Sequence, residues 1–219
     1  MTKNGQGALD LSADKARALA LFPVSRETEE RLDRFVEVLL LWQRRLNLVA
    51  PSTLREIWIR HIADSLQLLP LAPEARIWVD LGSGGGFPGL VVACAMPAGI
   101  GAAVHLIESN GKKAAFLREA VRVTGAPAAV HAIRAEKFGE TSAEPVEVVT
   151  ARAFAPLKIL CDQAFPLIAR GAVGLFPKGQ DVDAELTEAA KYWRIMVSKV
   201  PSRTSPDGSI ILIQGLEAL

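Results

Sequence analysis

The sequence predicts an α/β fold: a mostly parallel, seven-stranded sheet with helices on both faces, an antiparallel last strand and a helical extension in front. Three observations predict it. Ile77-Trp78-Val79-Asp80-Leu81 is an apolar strand that ends in an acid. It runs into Gly82-Ser83-Gly84-Gly85-Gly86-Phe87-Pro88-Gly89, after which a helical pattern begins. Beyond Pro73, short β-type runs alternate with helical ones, the pattern of βαβ units and a parallel sheet. The chain closes with two β-type runs around Ser205-Pro206-Asp207-Gly208, and so short a connection requires antiparallel pairing.

Taken in order, residues 1–7 read as frayed, and the pattern turns helical from Ser12. A strong helix is predicted over 25–46. Ser25 suits the N-cap, and Glu27, Glu29 and Glu30 suit the positive end of the helix dipole. Leu32, Phe35, Val36, Leu39 and Leu40 recur at helical spacing. A second helical stretch is expected over 52–69, with Pro70 and Pro73 as punctuation. The domain boundary falls there, giving an extension over 1–72 and a larger domain over 73–219. Within the latter, strands are expected at 77–81, 103–107, 128–133, 146–151, 171–176, 193–200 and 209–213. Helices are expected at 88–95, 112–124, 157–168 and 181–191.

Composition narrows the class. The chain has 219 residues, half of them hydrophobic, and a formal net charge of +1, which by itself announces no nucleic-acid partner. Two cysteines far apart, Cys94 and Cys161, form no disulfide framework and point to a reducing compartment. The first residues lack the apolar run of a signal peptide, and no apolar run reaches the length of a membrane span. A cytoplasmic protein without a membrane partner is expected. The three histidines are scattered, so no metal site is expected.

By itself the glycine loop is open to a dinucleotide, a flavin, a nucleoside cofactor or a purely structural tight turn, and three details narrow it. Glycines permit positive φ and let backbone amides approach a ligand closely. A dinucleotide fingerprint would place a pyrophosphate against the helix start. Here Phe87 and Pro88 occupy that end, and proline removes a donor. A sulfonium cofactor has no phosphate to satisfy, and Asp80 suits its cationic amino-acid end. Glu108, at the end of the second strand, suits a ribose with two hydroxyls. No Gly-x-x-x-x-Gly-Lys-Ser/Thr loop for a nucleoside triphosphate occurs. This reading favours S-adenosylmethionine, and the layout matches a Rossmann-like class I methyltransferase fold.

Several further segments carry a resemblance. They are Leu41-Trp42-Gln43-Arg44-Arg45-Leu46-Asn47-Leu48, Arg60-His61-Ile62-Ala63-Asp64-Ser65-Leu66, the glycine loop, and Glu108-Ser109-Asn110-Gly111-Lys112-Lys113 before Phe116-Leu117. Arg134-Ala135-Glu136, Ala151-Arg152-Ala153-Phe154 and Lys178-Gly179 follow in order. Together they resemble the ribosomal RNA small subunit methyltransferase G family, also called glucose-inhibited division protein B. The likeness runs from about Phe35 to Gly179. Gln43 stands where that family often has Asn, and Glu108 where Asp is frequent. The resemblance implies methyl transfer from S-adenosylmethionine to N7 of a guanine in the decoding-side loop of 16S rRNA, guanine 527. It implies cofactor contacts at Gly82, Phe87, Ala135, Glu136 and Arg152, beside the Asp80, Gly84 and Glu108 read from the loop.

Chemistry agrees with a simple site. Guanine N7 carries a lone pair and no proton, so alignment alone suffices and no catalytic residue is required; Arg152 and Lys178 are the candidates if one acts. The position after the fourth strand reads Ala151-Arg152-Ala153-Phe154-Ala155-Pro156, not the Asp/Asn-Pro-Pro-aromatic loop of exocyclic-amine methylation. Cys94 and Cys161 lie inside predicted helices, as small core residues do. Arg44, Arg45, Arg60, His61, Lys112 and Lys113 are the RNA-contact candidates, set against ordinary solvated helix faces. His61 and Asp64 have a second role open to them, fixing the extension on the sheet. Arg152 has two, gripping the cofactor or an RNA phosphate. Phe87 and Phe154 serve either as stacking rings or as core. A small-molecule methyltransferase and a non-catalytic ribosome-assembly factor are the alternatives; no obligate protein partner is inferred.

Overall fold

The computed structural model describes residues 9–97, 101, 103–141 and 145–219, so the expectation for residues 1–7 lies outside the described residues. Seven strands form one sheet in the order β3-β2-β1-β4-β5-β7-β6. These are β1 (Ile77–Leu81), β2 (Ala103–Ile107), β3 (Ala128–His131), β4 (Val148–Thr150), β5 (Val173–Lys178), β6 (Trp193–Pro201) and β7 (Ser209–Ala218). Strands β1 to β5 pair in parallel, and β7 runs antiparallel to both β5 and β6. The order reverses between β1 and β4. Such a switch point opens a crevice at the carboxyl ends of the strands.

Alternation along the strands explains the two-sided core. Trp78, Val104, Leu106 and Val148 face one cluster, and Val79, Ile107 and Val149 face the other. The first cluster is covered by α1 (Ser12–Leu21), α2 (Arg26–Gln43), α4 (Gly89–Ala95) and α5 (Gly111–Thr124). The second is covered by α6 (Ala135–Thr141), α7 (Leu157–Ile168) and α8 (Val182–Ala189). The extension therefore shares one continuous core with a face of the sheet. Among the described residues, no helix is long and apolar enough to cross a membrane.

Most elements lie where the sequence places them. Ser25 caps α2, its Oγ accepting from the Thr28 amide at 3.2 Å. The stretch over 52–69 is a correction. It is not one α-helix but a 3₁₀ turn (Pro51–Glu56), a π turn (Trp58–Ala63), the short α3 (Asp64–Leu66) and a second 3₁₀ turn (Leu69–Leu71). Ile57, Trp58, Ile59, Ile62 and Ala63 are all buried, more neighbours than one α stripe can bury, and the backbone winds wider there. Helix α6 was not expected, and β3 stops at His131 to make room for it.

Arg31 ties α2 to the sheet layer. Its guanidinium is buried, donates to the carbonyls of Cys94 (3.4 Å) and Met96 (3.2 Å) at the end of α4, and pairs with Glu27 at 2.7 Å. Arg31→Leu removes the side-chain donor that those carbonyls have among the described residues. We expect a loss of about 2 kcal/mol in urea denaturation. An unchanged midpoint would show that the carbonyls find other partners.

Candidate active site

The loop after β1 is held from behind by Asp80, which is fully buried. One carboxylate oxygen accepts from the Gly89 amide at 3.1 Å, and the other accepts from Thr150 Oγ1 on β4 at 3.0 Å. Burial raises its pKa to about 6 in spite of these bonds. Its hydrogen bonds knit β1, β4 and the start of α4 together, and it does not open onto the crevice as the sequence reading supposed. Gly89 is required at the contact, because a Cβ there would lie 2.5 Å from that of Asp80.

In front of the loop lies a cleft of about 470 Å³ lined by Gly82, Gly84, Glu108, Lys113, Ala135 and Glu136. That size falls within the range of small-ligand sites. Gly82 and Gly84 adopt φ of +67° and +51°. Glu108 follows β2 and is fixed by two amides. Gly84 donates to Oε2 at 2.9 Å and Asn110 to Oε1 at 2.7 Å, which leaves each oxygen a lone pair for a hydroxyl. Asn110 then caps α5 through the Lys112 and Lys113 amides. Glu136 is steadied by Gln163 on α7 at 2.7 Å. A glycine floor beside a fixed carboxylate fits an adenosyl group.

A second cavity of about 600 Å³ lies across the loop that follows β4, with Arg60, Arg152, Phe154, Lys178, Ser202 and Thr204 in its lining. Arg152 donates to the Arg60 carbonyl at 2.9 Å and to Asp64 at 3.1 Å, and its guanidinium lies 5.3 Å from the centre of the Phe87 ring. Burial lowers its pKa and Asp64 opposes that. It also donates to His61 Nδ1. A guanidinium has no acceptor, so His61 carries its proton on Nε2 and donates to Thr53 Oγ1 at 2.8 Å. Burial, then Arg152 and Arg60, push the His61 pKa down to about 3. Asp64 also accepts from Thr204 Oγ1 at 2.6 Å and Gln67 Nε2 at 2.8 Å, which joins the extension to the β6–β7 connection. Lys178 binds the Ala155 carbonyl at 2.9 Å and Glu185 at 2.7 Å, bracing the loop from the other side.

Residues 28–209 match the model of the family described as rRNA small subunit methyltransferase G. The chain belongs to that family. Ribosomal RNA small subunit methyltransferase G of Bradyrhizobium sp. strain BTAi1 is 61% identical over 207 residues, 94% of this chain and 93% of that protein. Its counterpart in Bradyrhizobium sp. strain ORS 278 is 58% identical over 216 residues, covering 99% and 97%. Among solved structures, a putative O-methyltransferase from Klebsiella pneumoniae superposes with a TM-score of 0.58 at 15% identity, covering 93% of this chain and 96% of that one. An O-methyltransferase from Bacillus cereus in complex with SAH gives 0.58 at 14%, covering 93% and 97%. These two share the fold. The chain is thus an rRNA methyltransferase of the class I fold, with S-adenosylmethionine as methyl donor.

Within this methyltransferase G site, the expected residues divide into two groups. Gly82, Gly84, Glu108, Ala135 and Glu136 line the first cleft, whereas Arg152 and Lys178 line the second cavity. The Phe87 side chain turns away from both. It is 4% exposed and packs 5.2 Å from Phe35 and 4.9 Å from His61, so only its main chain is left to meet a ligand. His61 is buried in the same contact, which makes it a connector and not an RNA-facing group. Arg44, Arg45, Arg60 and Lys112 are exposed, and Lys113 is half-buried. Sequence reasoning missed Ser202, Thr204 and Gln163. Their roles depend on partners far along the chain, and no local pattern marks them.

Proposed function

We propose that this member of the family methylates N7 of a guanine in 16S rRNA, guanine 527, on the small ribosomal subunit in the cytoplasm. One observation carries the reading: among the described residues, no histidine or cysteine lines the second cavity, and both of its carboxylates are paired with cations. Arg152 and Lys178 are cations paired with Asp64 and Glu185. His61 is held neutral and spent on Arg152 and Thr53. Cys94 and Cys161 are buried in the core with thiols pushed up to about 12. An acceptor that must lose a proton would need one of these groups, and a lone pair on N7 needs none.

When bound, S-adenosylmethionine supplies a methyl group on a positively charged sulfur, open to in-line displacement. The chain's own residues supply position. Gly82 and Gly84 give the floor, Glu108 the hydroxyl acceptor, and Ala135 and Glu136 the far wall. Arg152 and Lys178 set the loop after β4 between their anchors. In this reading, residues 1–72 form the extension that presents Arg44, Arg45 and Arg60 to RNA phosphates, and 73–219 form the transferase domain, with Lys112 and Lys113 as further phosphate contacts. Mass spectrometry of nucleosides and of ribonuclease fragments from small-subunit RNA incubated with the protein and S-adenosylmethionine is expected to yield 7-methylguanosine, in the one fragment that holds that guanine. A methyl group on another atom or base would reject the assignment.

A further inference from the structure

The two cavities share a single wall, residues 153–155 of the loop after β4. We infer that the cavity of about 600 Å³ is the pocket for the extruded acceptor base, and that the Phe154 ring is the movable partition between it and the methyl-donor cleft. The inference rests on the rRNA reading above and assigns the acceptor side of that site.

Four features support it. First, the Phe154 ring lies directly on Gly82: a Cβ built there would stand 2.1 Å from Cδ2 and 2.6 Å from Cε2. The ring covers the stretch of glycine loop that floors the methyl-donor cleft, on the side away from the second cavity. Second, Phe154 is 37% exposed, so its position is not fixed by burial in a core. Third, the loop is pinned on both sides of the ring, by Arg152 on Asp64 and the Arg60 carbonyl, and by Lys178 on the Ala155 carbonyl. Between those posts Ala153 sits at φ +50°, a left-handed conformation unfavourable for a residue with a Cβ, so the closed position is a strained one. Fourth, the cavity behind the ring is lined for a nucleotide. Arg60 offers a cation for phosphate and Ser205 a hydroxyl for a base edge, beside the Ser202 and Thr204 hydroxyls that hold Gln67 and Asp64 in place.

The chemistry requires such an arrangement. A base inside folded RNA is reached by taking it out of its stack, and an extruded base is held by stacking on an aromatic ring. The donor and acceptor atoms must also come into line. With the ring on Gly82 they stand on opposite sides of a wall. Turning the ring off Gly82 joins the cavities and presents its face to the base.

The test uses Phe154→Ala and Phe154→Tyr in the full-length protein. Two readouts are taken: stopped-flow association of S-adenosylhomocysteine, and KM and kcat on small ribosomal subunits. In Phe154→Ala, S-adenosylhomocysteine is expected to associate severalfold faster. KM for the subunit should rise about tenfold, the loss of one base–aromatic stack. Phe154→Tyr, which keeps the ring, should restore KM. Unchanged association and unchanged KM in Phe154→Ala, beside an active wild type, would overturn the partition. A wild type that transfers no methyl group to RNA would instead overturn the functional reading.

Discussion

Gly82→Val is expected to bind S-adenosylhomocysteine about a hundredfold more weakly than the wild type, while the protein still folds. The two effects separate because they have different causes. Valine at φ +67° is strained whatever surrounds it, at a cost of about 2 kcal/mol to stability. The contact with Phe154, 2.1 Å from the new Cβ, is relieved by moving an exposed ring and adds little. The branched side chain then occupies the floor of the cleft that Gly82 lines. Calorimetric titration and urea denaturation read the two terms independently. Adding Phe154→Ala to the variant should return little of the stability and none of the affinity. Gly84→Ala provides scale: its nearest neighbour, the Gly82 carbonyl oxygen, lies 3.6 Å away, so only the backbone strain applies. Wild-type affinity in Gly82→Val would remove the glycine cleft as the donor site.

The same region shows what the sequence discloses and what it withholds. Strands β1 and β2 begin and end where their apolar runs do, and the Ser25 cap is legible because capping is a local contact. Alternation also locates Asp80. It shares the face of Trp78, beneath α4, while Val79 and Leu81 face the other cluster. Period two therefore places its carboxylate behind the glycine loop, a signal outweighed in the sequence reading by the acid's proximity to the glycines. Arg152 is different. Its position depends on Asp64, 88 residues away, and Asp64 depends in turn on Thr204, 140 residues further along the chain. The widened turn over Trp58–Ala63 that delivers His61 and Asp64 to one place depends on what packs against it. A local motif shows that these residues matter together and leaves their partners unstated.

Asp80→Asn is expected to abolish a pH dependence of stability worth roughly 3 kcal/mol, the consequence of a carboxyl raised from its ordinary 3.8 to about 6. Below the lower value both folded and unfolded chains hold the proton. Between the two, the folded chain keeps a proton that the unfolded chain has released, so folding loses ground as pH rises. Above about 6 the loss is complete and constant. The amide removes the titration without breaking the contacts. Its oxygen accepts from the Gly89 amide, its nitrogen donates to Thr150 Oγ1, and that hydroxyl turns its own proton to the Val79 carbonyl at 3.4 Å. Urea denaturation of both proteins across this range isolates the effect, since every other titrating group is common to them. The wild type should lose stability relative to the variant as pH rises, so that the variant is the more stable of the two at neutral pH. Parallel curves would mean that Asp80 titrates normally and that its burial is relieved in solution. The wild type therefore keeps an ionised carboxylate inside the protein at neutral pH against its own stability. Arg152 is the cation that favours that charge, and it belongs to the acceptor side of the site. The partners of Asp80 are Gly89 and Thr150, while Arg152 is held by Asp64 and the Arg60 carbonyl, so affinity for S-adenosylhomocysteine should survive Asp80→Asn.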